Sequence, residues 1–268
     1  TAVVRSGAPS PGIFTVAHDI GAPCVPGLSL HNAGDDTYTI TGSGNDIWQT
    51  GDQFQYAYTR FTGDFSMVAH VRERTWATGS RWGKVGIMAR QDCTNRSRYS
   101  MLQTHGADLQ DADRFAGRPT HGGNDNFEST NLAGGQHRDW MRLDRVGNLF
   151  VGSFSQDGVT WGQVGSMNWG PGAPATVLLG LAVNAHSDTA GGCIPATIVF
   201  DQVSIIVPSF SVSRSVGPAD ACPVESGTTK VVLTGTGDDG PAIPIVETVL
   251  GNVQVTQISN LGRFQKIL

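Results

Sequence analysis

Along the whole 268-residue chain, short runs with apolar residues at every second position are cut apart by glycine, asparagine, aspartate and proline. No stretch sustains a 3.6-residue apolar period for the three turns of an ordinary helix. Successive side chains of a strand point to opposite sides, so such a chain can bury its apolar groups only on the faces of pleated sheets. Strands are expected at Thr37–Thr41, Gln53–Phe61, Phe65–Arg72, Val85–Gln91, Arg98–Thr104, Trp140–Arg145, Leu149–Ser155, Thr176–Asn184 and Ala196–Val207. Val146-Gly147-Asn148 and Gln156-Asp157-Gly158 read as hairpin turns. The 35 glycines and a charged fraction of only 15% suit many tight turns, and the expected fold class is all-β.

Within Gln53–Phe61, Phe54, Tyr56 and Tyr58 fall on one side and Gln53, Gln55, Ala57 and Thr59 on the other. The aromatic stripe reads as packing against an opposite sheet, with partners required for the tyrosine hydroxyls. Asp46 and Asp52 bracket the turn before it. Gly106–Gln136, rich in Asp, Asn, Gly and Thr, reads as a long connection in which only Asn126–Thr130 is strand-like.

Composition breaks at Ile206-Val207-Pro208-Ser209, after which Phe210–Val216, Lys230–Thr234, Ile243–Val249 and Val253–Ile258 alternate again. The reading is a linker over 1–13, a large sandwich over 14–207 and a smaller one over 208–268. The last has too few strands for a full sandwich, so it is expected to be incomplete and the chain a segment of something longer.

A formal charge of −5 without any Lys/Arg run argues against a phosphate backbone as partner. No apolar stretch approaches the ~18 residues of a spanning helix, so membrane insertion is not expected. The four cysteines, Cys24, Cys93, Cys193 and Cys222, have no CxxC spacing. They are candidates for disulfides rather than metal ligands, with three pairings open.

The runs YTITGSGNDIWQTGDQFQYAYTRFTGDFSMVAHV, WGKVGIMAR, WMRLDRVGNLFVGSFSQDGVTWGQVGS, VLLGLAVNAH and IVFDQVSI closely resemble the laminin-G-like, concanavalin A-like jelly-roll modules of large secreted bacterial proteins. The resemblance covers about residues 14–207. It implies a two-sheet antiparallel jelly roll whose curved inner sheet can present a ligand groove, and a secreted or cell-surface location. The 208–268 stretch is more weakly similar to the immunoglobulin-like modules that follow such domains.

Retaining glycosidases need two carboxylates about 5–5.5 Å apart. Glu73 and Glu128 are isolated, and Asp139 and Asp144 fall on opposite faces of one strand. No Gly-x-Ser-x-Gly elbow exists, and the neighbours His186, Ser187 and Asp188 do not make a triad by adjacency. No cofactor is implied apart from calcium, for which Asp35, Asp36 and Asp46 and the Asn124-Asp125-Asn126 loop offer hard oxygens. These residues equally suit turns and backbone caps.

The strands around Val85–Gln91 and Thr176–Asn184 each carry one core face and one face that runs from small to polar residues. If they are neighbours, Arg90, Asn184 and His186 line a groove with donors and acceptors for sugar hydroxyls, joined by His105 and Trp76. Trp169 is a further candidate, while Trp82, in a Trp-x-Lys-x-Gly pattern of the resembled family, reads as packing. The expected function is non-enzymatic binding, to a glycan or to neighbouring protein subunits. The alternatives are a self-assembling structural block of a surface layer, fibre or matrix and, behind it, a glycan hydrolase.

Overall fold

The computed structural model describes residues 12–49, 51–76, 82–106, 113–123, 127–129, 138–187 and 193–207, together with the backbone of three later strands. Every regular element among them is a strand. The chain divides into two compact units, residues 1–205 and 206–268.

The first unit is two antiparallel seven-stranded sheets, an arrangement that fits a jelly-roll sandwich. Sheet A runs β1 (Val16–Ile20), β4 (Phe54–Thr62), β13 (Thr176–Asn184), β6 (Lys84–Arg90), β7 (Tyr99–His105), β8 (Asp113–Arg118), β9 (Phe127–Ser129). Sheet B runs β12 (Gly162–Asn168), β11 (Leu149–Ser155), β10 (Trp140–Val146), β5 (Phe65–Thr75), β14 (Ala196–Ile206), β3 (Thr37–Gly42), β2 (Leu28–Asn32). The main core lies between them, where Val85, Ile87 and Ala89 of β6 and Leu179, Leu181 and Val183 of β13 meet Met67, Ala69, Met141, Leu143 and Ile198. The second unit contributes a three-stranded sheet, β15 (Ser209–Arg214), β16 (Val231–Thr236), β17 (Arg263–Lys266). The stretches 243–249 and 253–258 lie outside the described residues.

Two expectations are corrected. Gly106–Gln136 is not one long connection: Asp113–Arg118 is strand β8, paired with β7 from Tyr99↔Arg118 to Thr104↔Asp113. Its alternation is hidden in the sequence because Arg114, Gly117 and Arg118 replace the usual apolar signal. The stripe Phe54, Tyr56, Tyr58 does not meet the opposite sheet. It belongs to a second apolar cluster with Ile20, Ile47, Met88, Tyr99, Met101, Leu178 and Ala182, on the outer face of sheet A.

Cys24 and Cys193 form a disulfide, Cys93 is a free, exposed thiol, and Cys222 lies outside the described residues.

Candidate functional site

Alternation along β6 turns Lys84, Gly86, Met88 and Arg90 to the outer face of sheet A, and the antiparallel register sets what stands beside them. Lys84 pairs with His105, Gly86 with Gln103, Met88 with Met101 and Arg90 with Tyr99 on β7. On β13 the partners are Asn184, Ala182, Gly180 and Leu178. The face thus has a charged end at Arg90, an apolar middle and a polar end at Lys84. Gly86 and Gly180 keep the middle low, since a Cβ on either would come within 1.9 and 2.0 Å of a neighbouring strand's carbonyl oxygen.

The Arg90 end is closed. Asp52, Arg90 and Arg118 are all fully buried. Arg118 grips Asp52 through two bonds, Nη1 to Oδ2 at 2.8 Å and Nη2 to Oδ1 at 2.7 Å, and Arg90 Nη1 donates to Oδ2 at 3.2 Å. Arg90 Nε and Nη2 donate to the main-chain carbonyls of Asp92 and Thr94, and Arg118 Nη1 and Nη2 to those of Ser97 and Gln49. The network pins Gln49, Asp52 and the 92–97 turn over the aromatic stripe. Beneath them the Tyr56 hydroxyl donates to the carbonyls of Met88 and Leu178, each at 2.9 Å.

At the Lys84 end Trp82 and the side chains of Arg114, Glu128, Asp46 and His186 reach the surface, over Lys84, Gln103, His105 and Asn184, which are buried. Here a continuous polar run crosses four strands and an adjoining loop. Glu128 of β9 pairs with Arg114 of β8 and lies 3.5 Å from Gln103 Nε2, which meets His105 Nε2 at 2.8 Å. His105 stands edge-on to Trp82 at 5.7 Å, and Trp82 is 39% exposed. Lys84 Nζ donates to the Trp82 carbonyl at 3.1 Å and to Asp46 Oδ1 at 2.5 Å, and His186 Nε2 lies 3.5 Å from Asp46 Oδ2. His186 takes a left-handed backbone, φ 54°, at the end of β13. This is an uncommon conformation for a residue other than glycine and one that clusters at functional sites. Burial raises the Asp46 carboxyl, but His186 and Lys84 outweigh it and hold the group below the usual carboxylate range. Asn184 Nδ2 donates to the Gln53 carbonyl at 2.7 Å. The amide oxygens of Gln103 and Asn184 are buried without a hydrogen-bond donor.

The structure therefore brings together His105, Asn184, His186 and Asp46 from among the residues read in the sequence. It separates Arg90 from them: the antiparallel register sets Arg90 opposite Leu178 and Lys84 opposite Asn184, six residues apart, or about 20 Å. Arg90, enclosed within the Asp52 network, is a packing and ion-pair residue; Gln103, His105 and Asn184 are as deeply buried and lie beneath the surface-reaching side chains of the other end. Trp76, partly buried, packs on the main core between the sheets. Trp169 is buried there too, its Nε1 donating to Ser100 Oγ at 3.0 Å. Trp82, read as packing, is the half-exposed one.

The calcium candidates do not converge. Asp36 pairs with His31 at 2.8 Å, Asp35 accepts Thr37 Oγ1 at 2.9 Å at the β2–β3 turn, and Asp46 sits on the other sheet's face. No three carboxylate, imidazole or thiol groups gather to hold a metal ion among the described residues. Residues 124–126 lie outside them. Sequence reasoning missed Gln103, Arg114 and Glu128, because β8 does not read as a strand and no local pattern sets β8 and the strand-like Asn126–Thr130 stretch beside β7.

No protein-family model and no curated protein matches the chain. Among solved structures it is similar to a functionally unknown protein from Saccharomyces cerevisiae, with 16% identity, a TM-score of 0.51, and coverage of 72% of this chain and 97% of that one. It is also similar to the carbohydrate-binding module CBM66 from Bacillus subtilis, at 15% identity and a TM-score of 0.43 over 72% of this chain and 96% of that one. A third similarity is to a xylan β-1,4-xylosidase from Bacillus halodurans, at 12% identity and a TM-score of 0.44 over 69% of this chain and 38% of that one. At these identities the yeast protein shares the fold and nothing further is carried over.

Proposed function

We propose that the first unit is a non-enzymatic, extracellular glycan-binding module whose ligand lies on the outer face of sheet A at its Lys84 end. The observation that carries the reading is the set of surface-reaching polar side chains Glu128, Arg114, Asp46 and His186 around a half-exposed Trp82, held from beneath by the buried Gln103, His105 and Lys84. A sugar ring presents closely spaced hydroxyls that donate and accept, together with an apolar C–H face. The surface-reaching side chains supply carboxylate acceptors and guanidinium and imidazole groups, while the indole offers an apolar surface.

Two further features support binding over turnover. A general acid working near neutral pH needs a raised carboxyl pKa, and Asp46 is lowered. Glu128 is engaged by Arg114. The Cys24–Cys193 disulfide suits an oxidising, extracellular setting. The laminin-G-like character of residues 14–207, and an immunoglobulin-like character of 208–268, complete the proposal.

The test is calorimetric titration with a panel of neutral and acidic oligosaccharides at millimolar concentration. At least one glycan should bind, and Trp82→Ala and Glu128→Gln should each weaken it about tenfold or more, the scale of one lost stacking or charged hydrogen bond. Absence of binding across the panel sinks the reading, as does binding indifferent to both substitutions.

A further inference from the structure

A sandwich of two open sheets has four edges, and an unguarded edge is a template for pairing with another chain. Three of the four are blunted here. β9 is only three residues long, with Glu128 tied to Arg114. β12 pairs with β11 across a register shift at Gly152/Ser153, a bulge that twists the edge away. β1 carries Asp19, whose carboxylate accepts the Gly27 amide at 3.0 and 3.1 Å and so ties the following segment against the strand.

β2 has none of these devices. Its sequence, LSLHN, holds no proline, glycine, Lys, Arg, Asp or Glu, and its register with β3 is regular from Leu28↔Thr41 to Asn32↔Thr37. It is the end strand of sheet B among the described strands. Leu28 is 53% exposed and Leu30 38% exposed. Ile194, next to the Cys24–Cys193 bridge, is 50% exposed.

We infer that β2 is an assembly edge that pairs antiparallel with β2 of a second copy of this chain, joining two B sheets into one. The occupant is a second copy because the strand is self-complementary about Leu30. A two-fold axis there sets Leu30 against Leu30, Ser29 against His31 and Leu28 against Asn32, with no carboxylate, ammonium or guanidinium facing its like. The pairing is weak: two five-residue strands and their flanking side chains cover far less than the roughly 800 Å² per partner of a standard interface. Association therefore belongs at high local concentration, as among copies crowded on a surface. This inference is independent of the glycan reading, since the edge lies on the other sheet.

Sedimentation of the 268-residue chain from micromolar to millimolar concentration tests it. A monomer–dimer equilibrium with a dissociation constant in that range is expected. Leu30→Lys places two ammonium groups across the axis and should weaken the dimer about tenfold or more, and so should Leu30→Glu alone. An equimolar mixture of the two variants should associate at least as tightly as the parent chain. A parent chain that stays monomeric at millimolar concentration overturns the inference. So does a dimer untouched by either charge, or a mixture no better than its components. The parent-chain measurement decides even where a variant fails to fold.

Discussion

Asp52→Ala should strongly destabilise the first unit. In the native structure Asp52 is, among the described residues, the one carboxylate bonded to the two fully buried guanidiniums of Arg90 and Arg118, and it accepts three of their hydrogen bonds, at 2.7, 2.8 and 3.2 Å. Truncation leaves both cations among main-chain carbonyls and the rings of Phe54 and Tyr99, which lie 5.2 and 5.1 Å away and cannot neutralise them. Breaking a buried ion pair from one side costs about 3–5 kcal/mol. At roughly 2–4 °C per kcal/mol for a unit of this size, thermal unfolding should fall by about 6–20 °C. The network also pins Gln49, Asp52 and the 92–97 turn, so backbone amides there should exchange faster than those of the main-core strands. Calorimetry and hydrogen exchange read the two effects. A melting point within about 2 °C of the parent would show that the pair contributes little and that the reasoning is wrong.

Two further perturbations follow from the same physics. Burial pushes the Asp113 carboxyl up to about 6, against the lowering effect of the Arg138 bonds. The folded state therefore holds a proton that the unfolded state has lost between about pH 4 and pH 6, so stability falls as pH rises through that window. At about 1.4 kcal/mol per pH unit the change is on the order of 2–3 kcal/mol. Asp113→Asn should gain that much on the parent chain between pH 4 and pH 6.5, and parallel stability–pH curves would contradict it. The Cys24–Cys193 bridge closes a loop of 169 residues, so its loss in Cys24→Ala should cost up to about 5 kcal/mol of unfolding free energy. Denaturant titration showing under about 1 kcal/mol would contradict the chain-entropy argument.

The central strands were legible in the sequence, because β4, β6, β13 and β14 carry apolar residues at period two and are bounded by turns. β8 was not, since an outward Arg114 and Arg118 and a central glycine erase the pattern. β1, β2 and β12 lie at sheet edges, where one side needs no apolar residue, and short polar strands there look like loops. The stripe Phe54, Tyr56, Tyr58 was assigned its correct periodicity and the wrong side. Alternation tells that three residues share a face but not which face meets the other sheet, and here both faces are covered. The same limit separated Arg90 from His186: residue type suggested one groove, and only register showed opposite ends of the β6–β13 pair. The polar run at the Lys84 end joins β6, β7, β8, β9 and the loop before β4, a set that no local pattern links.

The glycan proposal is met most directly by mapping backbone amide chemical shifts of the labelled chain during titration with an oligosaccharide that binds. Saturable shifts are expected at Trp82, Gln103, His105, Arg114, Glu128 and His186, with strands β2, β3 and β14 of sheet B unmoved. Shifts confined to sheet B, or spread around the buried Arg90 end with the Lys84 end silent, would contradict it.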